Sequence, residues 1–502
     1  MSAEDPSYEP LGGSRNLTHR DADWSALRIL VAGLGISGFA AADALSERGA
    51  VVTAVSADDT STIRERSRIL EILDVDVRLG PEHLLDLPED TELVVTSPGF
   101  RPDHPLLLSA AARGIPVWGE VELAWRMRAQ SGAAPWITIT GTNGKTTTVN
   151  MLASILRAAG LRATSAGNVG TPLLEAVLHP EPYDVLAVEL SSFQLHWQRS
   201  VAPVASACLN LAPDHLDWHG SMEAYRLAKA KVFAGTQIAC VYNAQDPATQ
   251  QMVRDADVAP GCRAIGFTLG VPALSMVGMV DDVLADRAFV EQRSTSAAEL
   301  ATLADLRGDA PSVAPHQVAN ALAAAALARA YGVGPLSVRD GLRAFVPDPH
   351  RIADVATVDG VRFIDDSKAT NTHAAGASLA AFEHVVWIAG GLLKGADVDA
   401  LVESVADHLR GVVLIGADRE QIAQALARHA PDVPVVDVPN TDTGVMDLVV
   451  AHASNLAQPG DVVLLAPAAA SMDMFVNYGA RGDAFAEAVR RHARRHYGPS
   501  AS

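Results

Sequence analysis

Apolar and polar residues are grouped along the chain in blocks that are typical of α/β domains. Near the N-terminus, the apolar run LRILVAG is followed by a glycine turn, the helical segment SGFAAADALSERG and a second apolar run, VVTAVSA. This order of strand, turn, helix and strand predicts the opening unit of a doubly wound sheet. Residues 1–24 are mostly polar and precede the first strand, so we predict that they form a disordered tail.

The same pattern begins twice more. The strand WITIT leads into a glycine loop and a helix, and after residue 355 the apolar runs VRFIDDS, HVVWIAGG, GVVLIGA and DVVLLAPA alternate with helices. Such continuous apolar runs are expected of parallel strands that are buried on both faces. With a linker-like stretch at 129–135 and prolines at 347 and 349, we predict three successive α/β domains over 25–130, 131–347 and 348–502.

Composition limits the class of protein. The chain has 502 residues and a formal charge of −20, and a surface of that sign repels nucleic acids and anionic membranes. No apolar run reaches the ~18 residues of a membrane-spanning helix, the acidic start does not resemble a signal peptide, and the three cysteines form no paired motif. We therefore expect a cytoplasmic protein, monomeric, with no nucleic-acid partner and no membrane insertion.

The first glycine turn has the sequence GLGISG and lies between a strand and a helix. Gly33, Gly35 and Gly38 fit the G-x-G-x-x-G pattern, and Asp58 follows 20 residues after Gly38. This spacing is compatible with a Rossmann-like domain that binds NAD, with binding of another nucleotide, or with a tight turn that binds nothing. The turn alone does not choose among the three.

The second glycine loop, TGTNGKTTT (140–148), is more specific. Gly141 and Gly144 allow the backbone to approach phosphate oxygens, Lys145 can reach the β- and γ-phosphates, and Thr146 can bind Mg²⁺. The common phosphate loop has another glycine five residues before its second one, where this chain has Ile139, so the loop is a shorter variant. We predict a P-loop-type central ATPase domain in which the loop residues bind ATP: Gly141, Thr142, Asn143, Gly144, Lys145, Thr146 and Thr147.

Three further residues of the central domain are candidates for metal binding. Glu189 ends the strand DVLAVEL, and His215 lies in NLAPDHLDWHGS; with Thr146 they could hold Mg²⁺ between ATP and a substrate. The alternatives are a solvated cap at the end of the strand for the glutamate and a structural role for the histidine. Lys229 lies in the helix SMEAYRLAKAKVF, where the sequence pattern alone favours an ordinary solvated charge.

Polar clusters follow several strands of the third unit, which we predict to be Rossmann-like. Arg351 follows two prolines and is either an exposed turn residue or a clamp for a γ-phosphate. DDSKATN (365–371), Lys394 and Ser471 each follow a strand, so they could form the rim of a small-substrate site, or three ordinary turns.

Taken together, these motifs resemble those of the Mur ligases. TGTNGKTTT, VELSSFQL, DHLDWHGS, HQVANALAA, PHR, DDSKATN and PAAASMDMF…RGDAF carry the resemblance, which spans residues 27–490. The loop TGTNGK[ST] also occurs in folylpolyglutamate synthetases, whereas DSKATN and the C-terminal motif resemble the Mur ligases that add D-glutamate. The resemblance implies a reaction of ATP, UDP-N-acetylmuramoyl-L-alanine and D-glutamate, with one or two Mg²⁺. The alternatives are another Mur ligase, a folylpolyglutamate synthetase or, on GLGISG alone, an NAD-dependent dehydrogenase.

The resemblance also implies roles for individual residues. It implies that Ile36, Ser37, Ser97 and Gly99 lie near the UDP moiety, and Asn168 near the pyrophosphate and sugar. Lys145 and Thr146 would hold ATP and Mg²⁺, Glu189 and His215 would be metal ligands, and Lys229 matches a lysine that the family carries as a carbamate. Asn320 would lie by the adenine, Asp366 by the ribose and Arg351 by the γ-phosphate; Lys368, Thr370, Lys394, Ser471, Met472 and Tyr478 would surround D-glutamate or the reacting centre. The contact to uracil stays open among Ser56, Asp58 and Asp59.

Overall fold

The computed structural model describes residues 16–307, 313–347, 349–440 and 442–497. The chain folds into two compact units. The first contains the described residues of Met1–Leu211, Trp218–Val313 and Gln317–Phe345, and the second those of Ala212–Asp217, Ala314–His316 and Val346–Ser502. The three predicted domain ranges stay predictions, although the second division falls close to residue 347.

The N-terminal part of the first unit is a sheet of five parallel strands with helices between them. Its strands, in the order β3-β2-β1-β4-β5, are β1 Arg28–Ala32, β2 Val51–Ser56, β3 Asp76–Leu79, β4 Leu93–Thr96 and β5 Val117–Gly119. Its helices are α1 Ile36–Ser46, α2 Ser61–Ile72, α3 Pro105–Ala112 and α4 Glu120–Arg126. The strand order reverses between β1 and β4, and a crevice at such a switch point is where doubly wound sheets bind ligands.

The segment before β1 is packed where the structure describes it. Leu17 and Trp24 are 2% and 1% exposed, and both belong to the core cluster that includes Ile29 and Val31. The prediction of a disordered tail is therefore wrong for residues 16–24, while residues 1–15 lie outside the described residues. The two isolated apolar side chains supply enough buried surface to hold the segment against the sheet.

The second part of the first unit is a nine-stranded sheet in the order β14-β13-β12-β11-β10-β9-β6-β8-β7. Its strands are β6 Trp136–Thr140, β7 Ala163–Gly167, β8 Val185–Glu189, β9 Ala205–Cys208, β10 Ala239–Asn243, β11 Arg263–Phe267, β12 Met276–Val280, β13 Val283–Asp286 and β14 Ala298–Thr302. Strands β6 to β12 pair in parallel, and β12, β13 and β14 form an antiparallel extension.

The helices of this part are α5 Lys145–Ala158, α6 Leu173–Leu178, α7 Ser192–His196, α8 Leu216–His219, α9 Met222–Ala230, α10 Pro247–Asp255, α11 Leu303–Arg307, α12 Pro315–Ala330 and α13 Pro335–Arg343. Helix α12 is buried along most of its length because its alanines let neighbouring elements approach closely. Its Asn320 lies beside Gly144, the residue that directly precedes α5.

The second unit contains a six-stranded sheet in the order β15-β16-β20-β17-β18-β19. Its strands are β15 Ala353–Val358, β16 Val361–Asp365, β17 Val385–Gly390, β18 Leu409–Ile415, β19 Val435–Asp437 and β20 Val462–Leu465. Its helices are α14 Thr372–Leu379, α15 Asp399–Val405, α16 Arg419–His429, α17 Met446–Leu456 and α18 Tyr478–Tyr497. Only the edge strand β15 pairs antiparallel, and separate apolar clusters cover the two faces of the sheet.

The three sheets with their helices confirm the predicted architecture of successive α/β domains. Among the described residues, no helix is both long and apolar enough to cross a lipid bilayer.

The packing of residues 16–24 can be tested by substitution. Trp24→Ala should destabilise the first unit by about 3–5 kcal/mol, because it removes a large buried ring from a close-packed core. Thermal unfolding monitored by circular dichroism measures the change. Ile72→Ala, at a side chain that is 81% exposed on α2, is the matched control and should leave unfolding nearly unchanged. An unchanged melting curve for Trp24→Ala would show that the segment is not part of the core.

Candidate active site

The phosphate loop lies at the carboxyl end of a fully buried central strand. Strand β6 ends at Thr140, and helix α5 begins at Lys145, with Gly144 as its N-terminal cap in a left-handed conformation (φ 82°). A Cβ atom at Gly144 would lie 2.3 Å from Asn320 Oδ1, so glycine is required both by the backbone and by the neighbouring amide. The structure thus places Asn320 against the loop itself.

The rest of the loop is held by short polar contacts. The Asn143 N–H donates to Asn210 Oδ1 at 2.9 Å, and the hydroxyls of Thr142 and Tyr225 are 3.1 Å apart. Thr146 is half-buried on the first turn of α5, and Thr147 is buried. The loop is therefore fixed in shape, with the start of a helix directed at its mouth, an arrangement that favours anions.

Two lysines converge on one carbonyl of this loop. The Lys145 Nζ donates to the oxygens of Gly141 and Thr142 at 2.8 and 2.9 Å, and the Lys229 Nζ donates to the same Gly141 oxygen at 2.8 Å. Two ammonium groups that share one acceptor concentrate positive charge at the end of β6. In a chain with a net charge of −20, this concentration is what an anionic substrate needs.

Lys229 is buried, and the expectation of a solvated helix charge is wrong. The residue is 2% exposed, and its Nζ lies 4.8 Å from the centroid of the Tyr225 ring. The inward face of α9 carries Tyr225, Ala228 and Lys229, at the i, i+3 and i+4 spacing of one helical stripe. The lysine occupies an interior position of that stripe and reaches the loop from within the fold.

Glu189 contributes a buried carboxylate at the same edge of the sheet. It is paired in register with Ile139 of β6 and is 1% exposed. Its Oε1 accepts a hydrogen bond from Asn168 Nδ2 at 2.8 Å, whereas its Oε2 is buried and has no hydrogen-bond partner among the described residues. A buried carboxylate oxygen without a partner is costly, and a bound cation is the partner that would remove the cost.

The oxygen donors described at and beside the loop, the Thr146 hydroxyl and the Glu189 carboxylate, are of the kind that Mg²⁺ binds. Oxygen ligands and few protein groups are typical of Mg²⁺, which completes its shell with phosphate oxygens and water. Across the described ranges there is no group of three or more His, Cys, Asp or Glu residues that could hold a metal by itself. His215, which belongs to the second unit, has a positive φ of 53°, and its Nε2 lies 3.5 Å from Asp214 Oδ2.

The GLGISG turn and the turn after β4 lie together. The Ser97 hydroxyl donates to the Gly33 oxygen at 3.3 Å, and a Cβ atom at Gly38 would lie 1.7 Å from that oxygen. Burial raises the pKa of the Glu120 carboxyl, against the opposing effect of the Ser37 hydroxyl. Beside this turn Ile36 is 64% exposed, so an apolar side chain is available to a ligand at the switch point.

The three candidates for the uracil contact have different surroundings. Ser56 is buried, and its hydroxyl accepts the Asp58 N–H at 3.3 Å. The Asp59 carboxylate accepts two hydrogen bonds from Arg64, at 2.7 and 2.6 Å, and these lower its pKa. Gly99 has open space where a side chain would be. The Asp59 carboxylate is thus paired with Arg64. Which of the three residues contacts uracil stays undecided.

In the second unit, the residues after β16 are unusually buried for a loop. Asp366 is 6% exposed; its carboxylate accepts hydrogen bonds from the Ser378 hydroxyl and from the Ile352 N–H. Burial raises the pKa of Asp366 to about 7, against the opposing effect of Arg351. Burial, with a smaller effect of Arg351, lowers the pKa of His316 to about 4. The positive charge of Arg351 therefore acts on both groups.

A residue that the sequence did not single out ties the loops of this unit together. Arg481 is 1% exposed and donates to Ser367 Oγ and O, both at 2.9 Å, and to Ala469 O at 3.1 Å. It thereby joins DDSKATN to the loop after β20, and burial lowers its pKa to about 10. In the sequence this arginine is the first residue of the run RGDAF.

The remaining predicted residues lie at the same edge of the C-terminal sheet. The Lys368 Nζ is 3.8 Å from the centroid of the Tyr478 ring, and Thr370 is half-buried. Backbone hydrogen bonds of 2.8 and 2.9 Å join Leu392 to Ala470, so the loops that carry Lys394 and Ser471 lie side by side. Lys394 is exposed, Ser471 is 4% exposed and Met472 is 72% exposed. The loops that carry these residues thus follow the carboxyl ends of parallel strands, and their role as the rim of a substrate site stays a prediction.

Three domain families that are already known match successive parts of the chain. The Mur ligase middle domain matches residues 139–328, the Mur ligase glutamate ligase domain matches 350–469, and the MurD-like N-terminal domain of Mur ligases matches 27–119.

The chain belongs to the Mur ligase family.

Relatives within this family are similar over almost their whole length. A protein of Streptomyces avermitilis is 62% identical over 93% of this chain and 99% of its own length. Proteins of Streptomyces coelicolor and Thermobifida fusca are 60% and 58% identical, over 93% and 92% of this chain and 99% and 98% of their own lengths. All three are named UDP-N-acetylmuramoylalanine–D-glutamate ligase.

Solved structures share the fold of the family. The UDP-N-acetylmuramate-alanine ligase MurC of Thermotoga maritima has a TM-score of 0.55 at 19% identity, covering 93% of this chain and 100% of that chain. A pseudomurein peptide ligase type C from Methanothermus fervidus has a TM-score of 0.56 at 16% identity, with the same coverage of 93% and 100%. The fold class and the resemblance to the Mur ligases are thus confirmed.

Proposed function

We propose that this chain joins the amine of D-glutamate to the alanyl carboxylate of UDP-N-acetylmuramoyl-L-alanine at the expense of ATP. The relatives of the same name support this substrate pair. The observation that carries the chemistry is the convergence of Lys145 and Lys229 on Gly141, one strand away from the buried carboxylate of Glu189. The reaction would be a step of cytoplasmic peptidoglycan precursor synthesis, carried out by a monomer.

The chemistry explains why positive charge must be concentrated at the loop. A carboxylate does not react with an amine in water because oxide is a poor leaving group. Transfer of the γ-phosphoryl group of ATP to the alanyl carboxylate gives an acyl phosphate, and the D-glutamate amine then displaces phosphate through a tetrahedral intermediate. The first step brings two anions together, and fixed positive groups offset their repulsion. Lys145 and Arg351 are the side chains that we assign to the phosphates.

Thr146, Glu189, His215 and Lys229 are the residues that we assign to one or two Mg²⁺ ions. The bound metal would neutralise phosphate charge and orient the carboxylate beside it. Glu189 fits this role because its buried Oε2 has no partner in the part of the chain that the structure describes, while Asn168 donates to its other oxygen. Asn168 would thus position Glu189 in addition to contacting the pyrophosphate and sugar.

Lys229 fits a carbamate better than a permanent ammonium. A neutral lysine amine adds CO₂ and loses a proton, which leaves an anionic carbamate that still has one N–H. That N–H can keep donating to the Gly141 oxygen, as the amine does in this structure. The change of charge would remove the repulsion between two neighbouring cations and between Lys229 and Mg²⁺.

The other assignments follow the family resemblance and the positions described above. Asn320 and Asp366 are assigned to the adenine and the ribose, and Ile36, Ser37, Ser97 and Gly99 to the UDP moiety. D-Glutamate and the reacting centre are assigned to the rim of the C-terminal sheet, with ammonium groups for its carboxylates and hydroxyls for hydrogen bonds: Lys368, Thr370, Lys394, Ser471, Met472 and Tyr478.

A phosphate-release assay tests the proposed function. The purified chain with Mg²⁺ and ATP should release phosphate only when both UDP-N-acetylmuramoyl-L-alanine and D-glutamate are present, since the amine is needed to displace phosphate in each turnover. Lys145→Ala is the control for release by a contaminant. Release with a different amino acid but not with D-glutamate would contradict the assignment of the acceptor.

Lys229→Ala tests the carbamate. Activity should fall by at least about a hundredfold, and added acetate or propionate should restore part of it by placing a carboxylate where the carbamate would be. Lys231→Ala is the matched control, because Lys231 lies two residues away and its Nζ donates to the His196 oxygen. Wild-type activity in Lys229→Ala would refute the role, and a loss that no short carboxylate relieves would refute the carbamate.

A further inference from the structure

The turn after β18 contacts the neighbouring loop that carries Lys394. Asp418 Oδ2 accepts the Leu393 N–H at 2.8 Å, and the Asp418 N–H donates to the Gly391 oxygen at 3.0 Å. The two hydrogen bonds thus hold the loop after β17 at Gly391 and at Leu393, the residue immediately before Lys394. Strands β17 and β18 are neighbours in the sheet, so this contact lies at the edge where the polar rim is found.

Asp418 does not have the role that its position in the sequence suggests. It directly precedes helix α16, where an aspartate usually accepts a hydrogen bond from the first turn of its own helix. In this structure its side chain makes no such bond. The carboxylate is directed to the neighbouring loop, so stabilisation of α16 does not account for it.

The loop that Asp418 holds has a conformation that needs support. Lys394 has a φ of 55°, in the left-handed region that disfavours residues with a Cβ, and its side chain is exposed. The Ala396 N–H donates to the Leu393 oxygen at 3.0 Å, which closes a tight turn around Lys394. Because Leu393 begins this turn, the bond to Asp418 fixes where the lysine ammonium can reach.

The turn after β18 is itself fastened to the loop that carries Ser471. Asp473 Oδ2 accepts the Ala417 N–H at 2.8 Å. A Cβ atom at Gly416 would lie 2.5 Å from Gly391 Cα and 2.7 Å from Asp473 Oδ2, so only glycine fits between the two loops. The turn of residues 416–418 is thus a common support for the loops of Lys394 and Ser471.

We propose that Asp418 is a positioning residue for the amino-acid substrate: it holds the Lys394 turn so that the ammonium meets a carboxylate of D-glutamate. The inference rests on the proposed function, because it takes D-glutamate as the ligand of Lys394. It adds a residue that does not touch the substrate and acts through Lys394.

Steady-state kinetics of Asp418→Ala in the full-length chain test the inference. The KM for D-glutamate should rise at least about tenfold, the effect expected when a hydrogen bond that fixes a binding group is lost. The KM values for ATP and for the UDP substrate should stay within about twofold of wild type, because uniform binding of only one substrate is weakened. Asp418→Asn keeps an acceptor oxygen of the same reach and should restore most of the affinity for D-glutamate.

Asp437→Ala is the matched control. Asp437 lies on the adjacent strand β19 and pairs with Arg419, the residue after Asp418, at 2.7 Å, so its loss perturbs the same helix end without touching Leu393. Its KM for D-glutamate should be unchanged. An equal rise in Asp437→Ala, or equal rises in all three KM values in Asp418→Ala, would show that Asp418 is merely structural.

A double-variant cycle decides whether Asp418 acts through Lys394. If it does, the variant that combines Asp418→Ala with Lys394→Ala should have the same KM for D-glutamate as Lys394→Ala alone, because the group being positioned is already missing. Multiplication of the two single effects would overturn the inference. If the wild-type chain releases phosphate with D-glutamate but Asp418→Ala leaves the KM for D-glutamate unchanged, the role of Asp418 is overturned and the proposed function stands. If the wild-type chain releases no phosphate, both are overturned.

Discussion

The Gly141 carbonyl accepts hydrogen bonds from two lysine ammonium groups, and the electrostatics of the proposed site depend on this contact. Each lysine reaches it from a different element, Lys145 from the start of α5 and Lys229 from the buried face of α9. Two cations beside one oxygen repel each other, and the repulsion is relieved when anions bind between or upon them. A phosphate bound to Lys145 would reduce this repulsion, and so would the conversion of Lys229 to a carbamate.

The fold makes this contact possible by burying what surrounds it. Strand β6 is the neighbour of β8 and β9 in the sheet, so the phosphate loop, Glu189 and the end of β9 reach the same edge. Asn320 on α12 fills the space beside Gly144 and keeps the loop narrow. Low exposure strengthens every charge interaction at this edge, including the one proposed between the buried Oε2 of Glu189 and a cation. Partly buried or buried side chains also fix loops in the second unit. Arg481 and Asp418 hydrogen-bond backbone groups of the loops that carry Lys368 and Lys394.

Sequence patterns predicted the sheets and the phosphate loop because both depend on local order: apolar runs form buried strands, and a glycine loop before a helix forms an anion site. They did not predict the burial of Lys229, since one lysine at the i+4 position of a short apolar stripe is indistinguishable from a surface charge. Leu17 and Trp24 were assigned to a disordered tail because two isolated apolar residues have no periodicity. Arg481 and Asp418 contact loops that are distant in sequence, so only the strand order of the sheet reveals their partners. The roles of the site residues toward ATP, Mg²⁺ and D-glutamate stay predictions.

The central claim is that the alanyl carboxylate is activated by phosphoryl transfer at the phosphate-loop edge of the middle sheet, where Lys145 and Glu189 lie. Isotope transfer tests it most directly: UDP-N-acetylmuramoyl-L-alanine carrying ¹⁸O in its carboxylate is converted with ATP and D-glutamate, and the released phosphate is analysed by mass spectrometry. An acyl phosphate requires one ¹⁸O atom from the carboxylate to appear in each phosphate molecule that is released. Phosphate without ¹⁸O, formed together with the amide product, would contradict this account of the site.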